Sequence, residues 1–170
     1  MLTDTEMAAL LAPAGLHFVQ RRLDEVPLPP LPEGCSPASA RPEHGRFDSR
    51  PDEIVDADAP DMADKVNGSW YPMATEYGLF DEDREFLLGV DYTRPDDEGH
   101  EESAWAWVQV RLLDDWDIAA SGVTQLRSGF ATLFTTRFVP EFTAVSLDGR
   151  MMTNTTVWGN GTVSTIAIRP

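Results

Sequence analysis

Two tight-turn signals near the end of the chain constrain its fold most. Asp148-Gly149 and Gly159-Asn160-Gly161 are built from residues that enter positive φ at little cost, which is what two-residue hairpin loops require. Each turn is flanked by strand-like segments: Phe142 to Leu147, Arg150 to Trp158 and Thr162 to Ile168. Ten threonines lie between Thr124 and Thr165, and a β-branched side chain packs well on a pleated surface. Gly129 to Val139 reads as a further strand, with Phe130, Phe134 and Phe138 on one face. The expectation for this region is an antiparallel meander.

Two more strands precede it. Glu85 to Asp91 reads as a short buried strand. Ala104 to Leu113 alternates, with Ala106, Val108, Val110 and Leu112 on one face and Trp105, Trp107, Gln109 and Arg111 on the other. Together these predict a mainly β fold, an antiparallel sandwich or barrel of about 5–8 strands. The β domain is assigned to residues 66–170, and its first part, around Trp70, Tyr71, Met73, Tyr77, Leu79 and Phe80, is rich in aromatics.

Residues 1–65 read differently. Thr3 and Glu6 have capping-box spacing, and Met7, Leu10 and Leu11 supply an apolar stripe, so a short N-terminal helix is expected over 3–12. Pro13 and Gly15 end it. Leu16 to Leu23 is open between a strand and a second short turn. Residues 24–65 hold eight of the thirteen prolines and few apolar residues beyond Phe47, Ile54 and Val55. That composition cannot close a core of its own, so a long irregular arm is expected. Pro27-Leu28-Pro29-Pro30-Leu31-Pro32 favours polyproline II.

Charge is segregated. The net charge is −16, yet 27 of the 29 acidic residues lie before residue 118. The acidic part disfavours nucleic acid and anionic membrane, and no stretch approaches the roughly 20 apolar residues of a membrane-spanning helix. The acidic N-terminus lacks the basic start of a secretory leader, which places the expected location in the cytoplasm or a virion.

Motifs that carry chemistry are sparse. His17, His44 and His100 fall in no metal-binding spacing, and Cys35 stands alone in a Gly-Cys-Ser-Pro loop. Asp96, Asp97, Glu98, Glu101 and Glu102 surround His100, which reads as a solvated acidic loop before it reads as a hard-cation site. Asp114, Asp115 and Asp117 offer a carboxylate pair for acid–base work, or simply a strand end entering a turn. Asn67, Asn154 and Asn160 open sequons that read as turns and threonine-rich strands. No catalytic residue, cofactor or metal ligand is assigned.

The leading functional expectation is therefore a structural or assembly protein. A phage virion component (tail, neck or capsid-associated) fits the threonine-rich tail with its tight hairpins. Its partners would be protein subunits, a homo-oligomer or neighbouring assembly proteins. Its contacts are expected at Pro27, Pro29, Pro30, Pro32, Trp70, Tyr71, Trp105 and Trp107. Two solvent-facing tryptophans on one strand would mark a binding surface, unless the arm covers them. One alternative is a small-molecule enzyme or binding protein on a β-barrel or α+β cone, with Trp70, Tyr77, Trp107, Phe134 and Trp158 lining its cavity. The other is an acidic inhibitor or immunity-type protein binding a basic partner through residues 81–102.

Overall fold

The structure is a computed structural model that describes residues 1–30, 47–49, 54–94 and 104–168. Pro32, Cys35, His44, His100 and the acidic stretch from Asp96 to Glu102 lie outside the described residues. The first element is α1 (Asp4–Leu11), started by the expected capping box: the Thr3 hydroxyl accepts from the Glu6 amide, and the Glu6 carboxylate accepts from the Thr3 amide. A single 3-10 turn carrying Pro13 closes it, and the chain enters β1 (Leu16–Arg21), which settles that segment as a strand.

Two short strands follow, β2 (Phe47–Ser49) and β3 (Val55–Asp56), and then α2 (Met62–Glu76). Next come β4 (Glu85–Asp91), β5 (Trp105–Leu112), β6 (Phe142–Val145), β7 (Met152–Val157) and β8 (Thr162–Ile168). All pairings are antiparallel, in the order β1-β5-β4-β6-β7-β8-β2, with β3 also paired to β8. The mainly β expectation holds, but these strands form one sheet, not the two of a sandwich. Among the described residues no pairing joins β1 to β2 to close a barrel.

One other expectation is corrected, and one assigned boundary cuts across an element. The boundary placed between residues 65 and 66 falls inside α2, and β1 pairs with β5, so residues from both proposed parts share one sheet. Gly129 to Val139 is not a strand. It holds a 3-10 helix, Phe130–Leu133, started by Ser128, whose buried hydroxyl accepts from the Ala131 amide. Phenylalanines four apart match a helical turn as well as they match one face of a strand, and the local cap decides between them.

The sheet buries one face under both helices. Phe86, Leu88 and Val90 of β4, Val108, Val110 and Leu112 of β5, and Phe142 and Ala144 of β6 meet Met7, Leu11, Trp70 and Met73 there. Trp70 is the hub, with ring centroids 5.5 Å from Trp116 and Phe142, 5.7 Å from Phe80 and 6.0 Å from Phe86. Its indole N–H donates to the buried Thr153 hydroxyl of β7 at 3.0 Å, so the ring's one polar group is satisfied. Tyr92 ties α1 to this layer: its hydroxyl donates to Asp4 at 3.0 Å, and burial pushes its phenol well above the usual tyrosine range.

Candidate functional site

The opposite face carries what the sequence reading singled out. Alternation along β5 puts Trp105, Trp107, Gln109 and Arg111 there, as expected. A polar ladder crosses three strands at one end. Gln20 donates to Gln109 at 2.9 Å, Gln109 donates to Glu85 at 2.6 Å, and Arg111 donates to Glu85 at 2.8 Å. Arg111 first, then Gln109, holds the Glu85 carboxyl below its usual range, because both bonds favour the ionised form.

The middle of this face is apolar. Val26 packs with Leu87, Val145, Met152, Ile166 and Ile168, and Trp107, Leu147 and Trp158 border the cluster. Residues 22–30 therefore lie along the chain's own sheet. The Arg22 amide donates to the Trp107 carbonyl at 2.9 Å, and Val26 and Pro29 are buried while Pro27, Leu28 and Pro30 are exposed. Burial every third residue is what a polyproline II segment gives when one edge packs. Gly149 makes the approach possible. Its φ is +71°, and a β-carbon there would stand 2.4 Å from the Pro27 carbonyl oxygen.

At the other end of the face the sheet opens. β4 pairs with β6 only through Leu87↔Val145 and Leu88↔Ala144, while β4 stays paired to β5 out to Asp91↔Trp105 and β6 stays paired to β7 from Phe142. The strands splay beyond Leu88, and a cavity of about 180 Å³ occupies the gap, lined by Gly89, Val90, Asp91, Trp105, Gln125, Glu141, Phe142 and Thr143. The Trp105 indole lies directly on Gly89: a β-carbon there would come within 2.4 Å of the ring. It meets Trp107 edge to face at 4.6 Å and is 48% exposed.

Glu141 also lines a second, larger concavity of about 440 Å³ with Phe130, Asn154, Thr156, Val157, Trp158 and Gly159. Its carboxylate accepts from the Val157 amide at 2.8 Å and lies 3.4 Å from the Ser128 hydroxyl. The floor beside it is a saturated polar run. Thr143 donates to the buried Asn154 side chain at 2.5 Å, Asn154 donates to Thr156, and the Trp158 indole donates to Ser164 at 2.7 Å. Next to this concavity the turn after residue 129 leaves Phe130 (43%), Leu133 (78%) and Phe134 (39%) exposed.

The expected contact residues do not converge. Trp70 is 1% exposed and belongs to the interior, and Tyr71 stacks on Trp116 at 5.2 Å. Trp107 borders the cluster under the arm, and Trp105 is the exposed member of the pair. Of the aromatics expected to line a cavity, Trp158 does so, whereas Tyr77 packs against the main core. Asp114 pairs with Arg84 at 2.6 Å, and Asp117 accepts from Asn67 and from the Ala120 amide. Among the described residues no group of three or more His, Cys, Asp and Glu side chains is placed to hold a metal ion, and no helix is long and apolar enough to cross a membrane. Sequence reasoning missed Gln125, Phe130, Leu133 and Glu141. Glu141 had a signal: it is one of two acids in the otherwise nearly acid-free region after residue 117.

Comparison with protein-family models, with curated proteins and with solved structures gives no match in any of the three.

Proposed function

We propose that the chain is a structural or assembly protein that packs against neighbouring protein subunits through the open end of its sheet. One observation carries the reading. Phe130, Leu133 and Phe134 stand uncovered beside the concavity walled by Trp158, within the part of the chain that is almost free of acidic residues. An apolar surface in a near-neutral region meets another protein without charge repulsion, and burying it removes apolar area from water. The exposed edge of the arm, Pro27, Leu28 and Pro30, is a second apolar strip. A phage virion component remains the setting proposed for such packing, on the style of the threonine-rich tail.

Light scattering across a concentration series tests this. A defined oligomer, or mass that grows with concentration, is expected, and Leu133→Asp with Phe134→Ser should abolish it. A strict monomer whose residues 24–65 resist protease would overturn the reading.

A further inference from the structure

The gap between β4 and β6 has a one-sided chemistry. Its polar side chains are the Asp91 and Glu141 carboxylates, the Thr143 hydroxyl, already donated to Asn154, and the Gln125 amide. The Gln125 side-chain oxygen is sealed behind this lining, out of reach of a bound group. Among the described residues lining the gap there is no Lys, Arg or His. The remaining wall is Val90, Phe142 and the indole of Trp105, which is held in place by Gly89 beneath and Trp107 beside it. Acceptors, negative charge and an indole together select a cation that donates hydrogen bonds.

Size narrows the class. The cavity of about 180 Å³ is of the size that takes one small group, since a cavity of about 150 Å³ accommodates benzene. That suits the head of an alkylammonium or guanidinium group. A bare metal ion would leave the indole without a role. We propose that this gap is a receptor site for an organic cation, an alkylammonium or guanidinium group, seated against Trp105 and bound by Asp91 and Glu141. The group can belong to a Lys or Arg side chain of a partner or to a free amine. The inference stands apart from the assembly reading, since a monomer can hold the same site.

The test is a titration of the full chain followed by the indole N–H resonances, at constant ionic strength. The probes are n-butylammonium, methylguanidinium, N-acetyl-lysine amide and N-acetyl-arginine amide, with n-butanol and sodium chloride as controls. Saturable shifts of the Trp105 resonance are expected with the cations and not with the controls. Tighter binding of the amino-acid amides assigns the site to a partner's side chain, and tighter binding of the simple cations assigns it to a free amine. Trp105→Leu should weaken binding about tenfold, between the roughly 2–5-fold of an exposed cation–π contact and the roughly thirtyfold of a desolvated one. Asp91→Asn, which keeps the side-chain oxygen that accepts from Thr93, should weaken it as well. No saturable shift, shifts reproduced by n-butanol or salt, or binding unchanged in both variants would overturn the proposal.

Discussion

Gly89→Ala tests the structural premise of the open sheet end, because the sign of its effect depends on where Trp105 lies. The new β-carbon would sit 2.4 Å from one ring carbon of Trp105 and 3.0 and 3.3 Å from two others. Carbon atoms rest about 3.5–4.0 Å apart, so something must retreat by more than about 1 Å. β4 will not move, because Leu88 and Val90 on either side are 0% and 1% exposed. The indole will, since it is 48% exposed and has solvent behind it. Leaving its seat forfeits the edge-to-face contact with Trp107, about 0.5–1.5 kcal/mol. It also uncovers on the order of 50 Å² of apolar area, roughly another 1 kcal/mol. Against this, replacing glycine in a strand gains about 0.5–1 kcal/mol. The balance is a loss of about 1 kcal/mol, or about 2–4 °C in Tm for a chain of this size.

Urea unfolding reads the energy, and the far-ultraviolet exciton couplet of the Trp105–Trp107 pair reads the geometry. The variant should be less stable and lose the couplet. If it is more stable than the parent and the couplet is intact, the indole does not lie on Gly89, and the wall assigned to the cation site is wrong.

Three further outcomes follow from the same geometry. Gly149→Ala places a β-carbon against the Pro27 carbonyl at a positive φ, so the arm should lift from the sheet and tryptic cleavage after Arg22 should accelerate while the far-ultraviolet spectrum is kept. Thr153→Val leaves the buried Trp70 indole N–H without its acceptor and should cost about 1–3 kcal/mol in urea unfolding. Glu85 has its folded pKa held down by Arg111 and Gln109, so its contribution is present above the ordinary carboxylate pKa and is lost as pH falls through the folded value. Glu85→Gln should therefore flatten the acid limb of a stability-versus-pH curve.

Much of the sheet was legible in the sequence because strands print a local period and hairpins print their turn residues. Asp148-Gly149 and Gly159-Asn160-Gly161 lie where β6 turns into β7 and β7 into β8. The strict alternation of β5 assigned both faces correctly. The second helix was not read, although Met62, Val66, Trp70, Met73 and Ala74 repeat at helical spacing and are all buried. Asn67, Gly68 and Pro72 are poor helix formers, and the helix straddles the composition change taken as a domain boundary. The candidate site was largely hidden for a different reason. It depends on how far β4 and β6 stay paired, a long-range register that neither strand encodes alone. Glu141 and Gln125 meet that gap from a loop and a short turn, where no periodicity marks a shared face.

The distribution of the acidic residues bears on which functional reading keeps its support. An acidic inhibitor would present carboxylates in numbers to its partner, yet many in the described acidic part are engaged in bonds within the chain. Glu6 pairs with Arg94, Asp4 accepts from Tyr92, Glu85 anchors the ladder, Asp114 pairs with Arg84 and Asp117 holds Asn67. Asp81 accepts from the amides of Asp83 and Glu85 and so shapes the turn into β4. These carboxylates stitch helices and turns to the sheet, work that a few basic residues in the same stretch complete. Asp91 and Glu141 differ from them. Each spends part of its carboxylate on a local bond, to Thr93 or to the Val157 amide, and still lines the gap beside an indole. A protein that recognised partners by bulk negative charge would gain nothing from that pairing of two acids with one seated tryptophan. A protein that captures a single cationic group within a largely apolar contact surface would need it.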